Sequence, residues 1–235
     1  MNDAVGAAAA AAAAADAADA ADAIDVTRLS DERAPVEIVS TERAFEGRVW
    51  DVRRDTFVYG GERITRDYVD HTGAVGVFAL DDDDRVFLIK QYRHPIGHRD
   101  WEIPAGLLDV EAESPLDAAK RELAEEADLV ATDWAVLADF WTSPGGSDEA
   151  IRVYLARGLS ATPEAFAREA EEADMQTAWV PLDDLVDAVL ERRLSNSPLI
   201  ISTLAAHAGR ARGWGTLGAA DAPWPNRSPG RGGAR

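Results

Sequence analysis

In the stretch ESPLDAAKRELAEEADL, residues 113–129, Glu122, Glu125 and Glu126 crowd together beside Arg121, with a further carboxylate, Glu113, upstream. Like charges at neighbouring helical positions repel, so this face is either solvated surface or a place that awaits a cation. At i and i+4 of a helix, Glu122 and Glu126 project from one face about one turn apart and can share a metal cluster. Arg121 can relieve part of the repulsion through an i,i+4 pair with Glu125. Stability should then rise when a divalent ion arrives.

The elements that position these groups are legible around them. Ser114, Pro115 and Asp117 make a helix start: a hydroxyl cap, proline at the first helical position and an acid in the first turn. The pattern predicts a helix from Pro115 to Ala127. At roughly 100° per residue, Leu116, Ala119, Leu123 and Ala127 form an apolar stripe, with Glu122, Glu125 and Glu126 on another side. VEIVSTERAFEGRVWDVRRDTFVYGGERITRDYVD reads as strands broken by turns, with Gly60 and Gly61 closing a hairpin. AVGVFAL and RVFLIKQYR are strands flanking Asp81 to Asp84, an acidic run read as a solvated hairpin tip. DWAVLADFW, AIRVYLARGL and MQTAWVPL are further strands. LDDLVDAVLERRL and SPLIISTLAAHA are helices, the second capped by Ser197 or Asn196. Strands with few, segregated helices point to an α+β fold.

Four segments follow: a low-complexity Ala/Asp tail over 1–35, N-terminal strands over 36–70, a main domain over 71–207, and a Gly/Pro-rich tail over 208–235. Both tails are expected to be disordered. The net charge of −19 argues against partners such as nucleic acid and anionic membrane, which need clustered Lys and Arg. The absence of cysteine excludes disulfides, thiolate metal sites and thiol nucleophiles. No apolar run reaches the roughly 20 residues that span a bilayer, and the alanine run lacks the basic flank of a signal peptide. A cytoplasmic location is expected. His94 and His98 are separated by Pro95 and Gly97, so a helical zinc pair is not expected.

WEIPAGLLDVEAESPLDAAKRELAEEADL resembles the Nudix box through Gly106, Glu113, Arg121, Glu122, Leu123, Glu125, Glu126 and Leu129. Two positions depart from the family pattern: the loop from Gly106 to Glu113 is one residue longer, and Asp128 stands where the family has glycine. Asp is among the few residues that accept a left-handed conformation at modest cost. The resemblance implies a Nudix fold, a mixed β-sheet sandwiched between helices. It also implies metal binding by Glu122, Glu126, Glu125 and the Ala105 carbonyl, with Glu113 and Arg121 fixing the Nudix loop that starts at Gly106. Mg²⁺ suits this set, with Mn²⁺ as the alternative, because it prefers oxygen ligands and is bound by one or two carboxylates plus substrate phosphates.

QYRHPIGHRDWEIPAGLLDV, SPGGSDE and EEADM, in this order, resemble the ADP-ribose pyrophosphatase branch of the family, particularly its actinobacterial members. That likeness implies Mg²⁺-dependent hydrolysis of ADP-ribose to AMP and ribose 5-phosphate. The alternatives are cleavage of another nucleoside diphosphate sugar and a module that senses ADP-ribose without turning it over. A general base is implied on a loop before a late strand, where Glu171 is favoured and Glu172 is its rival. Arg121 and Glu125 complete the catalytic group. Arg93 is either a contact to substrate phosphate or a surface arginine; Glu102 binds the terminal ribose or supports the metal loop. Gly145, Gly146 and Ser147, next to Glu149, either offer amides to a phosphate or form a tight turn. The N-terminal strands are exchanged between subunits in the resembling enzymes, which implies a homodimer. Trp50, Arg53, Arg54 and Phe57 then either contact adenine or, for Trp50 and Phe57, pack within the sheet.

Overall fold

The computed structural model describes residues 26–164, 166, 174–225 and 227. Most of the Ala/Asp tract, and the segment carrying Glu171 and Glu172, lie outside the described residues. Strands β1 (Glu37–Phe45), β2 (Asp51–Tyr59) and β3 (Glu62–Asp70) form an antiparallel sheet in the order β1-β2-β3. Gly60 and Gly61, with φ of 60° and 84°, close the β2–β3 hairpin in the left-handed conformation that such tight turns demand.

Strand β4 (Ala74–Ala79) is followed by β5 (Arg85–Arg93), β6 (His98–Glu102) and β7 (Ala105–Leu107). The helix α1 (Pro115–Ala127) comes next, then β8 (Leu129–Trp141), β9 (Ala150–Ala161) and β10 (Gln176–Pro181). The chain continues through α2 (Leu182–Leu190), α3 (Ser197–Arg210) and a short β11 (Gly218–Ala219). Two sheets result, ordered β10-β5-β6 and β11-β8-β9-β4-β7. The second is mixed: β4 runs parallel to β9 and antiparallel to β7.

Period-two alternation distributes the apolar side chains of these strands between two cores. Phe78, Val86, Leu88, Val153 and Leu155 pack with Leu182, Leu185 and Leu199 of α2 and α3. Val75, Val77, Phe87, Ile89 and Tyr154 pack with Ala118, Ala119 and Leu123 of α1. Each such large side chain contributes roughly 1.5–3 kcal/mol by burial. The sheets are therefore covered by α1 on one face and by α2 and α3 on the other, the sandwich that the resemblance implied.

Of the two cap candidates, Asn196 caps α3, its side chain accepting from the Leu199 N–H at 3.0 Å. Two boundaries differ from the sequence expectation. The helix α2 stops at Leu190, before the basic pair Arg192 and Arg193. The segment after residue 207 is not a uniform tail. α3 runs on to Arg210, and β11 pairs with β8 through Gly218 and Val136. Trp214 covers Gly209, and the Trp224 ring faces the guanidinium of Arg152 at 4.9 Å. Composition pointed the other way because a few aromatic anchors outweigh many Gly and Pro residues once a sheet is available to receive them. Among the described residues, no helix is long and apolar enough to cross a membrane.

Candidate active site

Helix α1 starts at the Ser114 cap, whose Oγ accepts from the Asp117 N–H at 3.1 Å. It ends at Asp128, held left-handed at φ 55° and ψ 34°. Its acids do not share one polar face. Glu126 is 6% exposed, among the buried residues of the helix. There its Oε2 accepts from the Ala105 N–H at 2.8 Å. This bond ties α1 to β7, whose Ala105 and Gly106 also pair with Gly76 and Val75 of β4.

Arg121 organises the remaining acids. It donates to both Glu113 oxygens at 2.9 and 3.0 Å, to Glu122 Oε1 at 2.5 Å and to Glu125 Oε2 at 3.2 Å. The fork geometry of guanidinium makes such bidentate grips strong. Arg121 holds Glu113 below the usual carboxylate range, and Glu113 in turn raises the arginine's own pKa. Glu122 goes the other way: burial raises its carboxyl, and Arg121 offsets this only in part. A charge disfavoured by burial and close to other acids is one that a cation would relieve.

The packing at Gly106 is tight. A Cβ there would fall 1.9 Å from Glu122 Oε1 and 2.0 Å from its carboxyl carbon. The absent side chain is what lets the helix carboxylate rest against β7.

The residues proposed around the helix are brought together only in part. Arg93 and Glu102 meet each other: Arg93 Nε and Nη2 donate to Glu102 Oε1 and Oε2 at 2.7 and 2.6 Å. Glu102 is 4% exposed and serves Arg93. The amides of Gly146 and Ser147 both donate to the Ser143 carbonyl at 2.9 Å. They are engaged in a turn, the tight-turn alternative for this loop. Arg54 sits on the N-terminal sheet, bonded to Asp67 and Glu42, and Arg53 is paired with Asp70. Trp50 stacks on His71 with ring centroids 5.3 Å apart, while Phe57 lies in register with Ile38 and Ile64. Among the described residues, no three acids or histidines already converge as a metal site, since Arg121 acts as the cation among Glu113, Glu122 and Glu125.

His71 is a feature that sequence reading missed. Its Nδ1 accepts from the Gly73 N–H at 3.0 Å, its Nε2 stands 3.4 Å from Glu149 Oε1, and its own N–H donates to Asp148 Oδ1 at 2.8 Å. Nothing in HTG marks it; the packing of β3 against the 143–149 loop creates its environment. Burial pushes the imidazole below its ordinary 6.5, with Glu149 and Asp148 opposing. The unfolded chain therefore takes up the proton first on acidification. Stability falls as pH drops from the ordinary histidine value towards the lowered one. Asp148, raised by burial from 3.8, acts in a lower window and with the opposite sign: its contribution fades as pH rises. Melting temperatures are expected to fall from about pH 7 to about pH 6, and His71→Gln should flatten that slope. An equal slope in the variant would place the titrating group elsewhere.

The family model for the NUDIX domain matches residues 70–200. This chain belongs to the Nudix family. It is similar to an ADP-ribose pyrophosphatase of Mycobacterium tuberculosis, 45% identical over 173 residues, covering 73% of this chain and 83% of that protein. An ADP-ribose pyrophosphatase of Bacillus subtilis is 35% identical over 66% of this chain and 84% of its own length. A methanol dehydrogenase activator of Bacillus methanolicus is 34% identical over 70% and 88%. The crystal structure of an ADP compounds hydrolase superposes with a TM-score of 0.65 over 79% of this chain and 99% of that one; at 20% identity it bears on the fold alone. The Nudix helix is thus α1 and the Nudix loop is the segment from Gly106 to Ser114. The chain is a Nudix hydrolase.

Proposed function

We propose that this Nudix hydrolase cleaves the pyrophosphate of ADP-ribose to AMP and ribose 5-phosphate with Mg²⁺, Mn²⁺ being the substitute. The observation that carries the substrate assignment is the 45% identity, across 73% of the chain, with the mycobacterial ADP-ribose pyrophosphatase. The residues fit a hard cation. Glu122 and Glu126 stand at i and i+4 of α1, Glu126 is buried, and Gly106 leaves the room that Glu122 occupies. Glu122, Glu126, Glu125 and the Ala105 carbonyl would hold the ion. Bound there, it supplies charge neutralisation of the diphosphate and activation of a water.

The protein's own groups do the rest. Arg121 keeps the Nudix loop on the helix through Glu113. Arg93, oriented by Glu102, contacts a phosphate of the substrate. Glu171, with Glu172 as its rival, takes the proton of the attacking water. Trp50 and Arg54 of the N-terminal sheet contact the nucleoside end from a second subunit. That sheet exposes Ile38, Phe45 and Tyr59, and Trp50 is exposed just before β2, an apolar surface that a homodimer would cover. Sedimentation should give a dimer mass, and a monomer at all concentrations would remove the intersubunit contacts.

The test is to incubate the protein with ADP-ribose, GDP-mannose and NADH, with Mg²⁺ and with chelator, and to measure monophosphate release. AMP from ADP-ribose, lost with chelator, is expected. Preference for another nucleoside diphosphate sugar would reassign the substrate, and no release from any would favour a sensor.

Gly106→Ala should lower turnover by about 100-fold, the cost of misplacing a reacting group by an ångström or so. The clash falls on the Glu122 side chain and not on backbone, so unfolding should shift less than turnover. Wild-type turnover in that variant would show that Glu122 need not rest on β7.

A further inference from the structure

The chain after α3 docks at a point where the described functional groups begin. Arg152, 3% exposed, donates to the Ala222 and Pro223 carbonyls at 2.7 and 3.2 Å and faces the Trp224 ring at 4.9 Å. Trp224 packs against the core cluster that contains Leu108, Ala118 and Ala119, the first residues of the Nudix loop and helix to be buried. Arg227 lies beyond it. A Cβ on Gly73 would lie 3.7 Å from Leu108 Cδ1 and 3.9 Å from Arg227 Nε, so both side chains flank the same backbone. That backbone matters to the loop, because the Gly73 carbonyl accepts from the Leu108 N–H at 3.0 Å. This bond comes just after β7 and just before the loop that carries Glu113.

The polar bonds from Arg152 reach the backbone of this segment, not the Trp224 and Arg227 side chains. The buried Trp224 Nε1 and Arg227 Nε meet no acceptor among the described residues. Such orphaned donors oppose docking by about 1–3 kcal/mol each, so ring packing and the grip of Arg152 hold the segment down. A segment retained at that cost beside the Nudix loop has a reason to be there beyond closing the sheet.

We propose that Trp224 and Arg227 are positioning residues: residues 218–225, together with Arg227, form a strap, anchored by Arg152, that clamps Gly73 and Leu108 and so fixes the Nudix loop with its Glu113 against α1. The strap acts through the loop's first hydrogen bond and the packing under the first turns of α1. For its kinetic arm it rests on the hydrolysis proposed above; its structural arm does not.

The test uses full-length Trp224→Ala, Trp224→Phe and Arg227→Ala. Hydrogen exchange of the Leu108 amide and its neighbours is measured with melting temperature and with kcat and KM for ADP-ribose. In Trp224→Ala, kcat should fall by about 10- to 100-fold at little changed KM, the scale of a misaligned site. Exchange should quicken at 108–113 but not in β4 or β9, and phenylalanine should restore most of both. Arg227→Ala should give the same pattern more weakly. Unchanged exchange at 108–113 in Trp224→Ala would overturn the strap. So would exchange quickened uniformly through the sheets with no rescue by phenylalanine, the signature of lost stability. If the wild-type protein releases no AMP, the substrate assignment falls, and the exchange comparison alone decides the strap.

Discussion

Glu126→Gln should lower turnover more than ~100-fold, exceeding the 10- to 100-fold typical of losing an outer partner of a metal site, while leaving the protein folded. The reason lies in where the carboxylate sits. It is 6% exposed, on the side of α1 that carries Ala119, Leu123 and Ala127. A buried charge is costly unless it is paired and hydrogen-bonded. The Ala105 N–H at 2.8 Å supplies one bond, and a bound cation would add to it. Glutamine can still accept from Ala105 through its carbonyl oxygen, so the tie between α1 and β7 survives. It loses the negative charge on which ion binding depends. The melting temperature should stay the same or rise, since a buried charge has been removed. Kinetics over a range of Mg²⁺, beside a thermal melt, separate the possibilities. Wild-type turnover would reduce Glu126 to a structural tie, and a collapsed melt would mean that the charge is needed for folding.

Arg152→Ala should cost about 3–5 kcal/mol of unfolding free energy, the usual result of breaking a buried ion pair from one side. Arg152 and Asp139 are directly opposed in the β8–β9 register, joined by two bonds of 2.8 Å each. Alanine would leave Asp139 without its partner, release the Ala222 and Pro223 carbonyls and uncover Trp224. Changing both partners, to Arg152→Met with Asp139→Leu, should recover much of the loss, because a buried pair is often no better than apolar side chains of similar size. Urea denaturation of the single and double variants decides it. A single variant within about 1 kcal/mol of wild type would show that the pair is no more than a surface bridge.

Local signals in the sequence were enough for α1 and the longer strands, but not for the short strands β6, β7 and β11. Ser114, Pro115 and Asp117 set the start of α1, and its end at Ala127, followed by a left-handed Asp128, follows from the same short-range backbone chemistry. The alternation in AVGVFAL and RVFLIKQYR marks two faces, and the structure packs each face against helices. The pairing of Arg121 with Glu125 was legible from their i,i+4 spacing, and its pairing with Glu113 was what the family resemblance implied.

Partner choice across the fold was decided by tertiary structure. Periodicity assigns a side chain to a face but does not say what stands opposite. Arg93 and Glu102 look like separate ligand contacts in sequence, yet the β5–β6 hairpin sets them against one another. The helical wheel put Glu126 with the other acids; the approach of β7 turned that position into interior and supplied the Ala105 amide. The amides of Gly146 and Ser147 went to Ser143. The last strand and Trp224 found a seat because β8 had an open edge and Arg152 a buried charge to cover. Hydrogen-bond geometry and burial reward contacts between residues far apart in the chain, and a linear pattern carries no record of those distances.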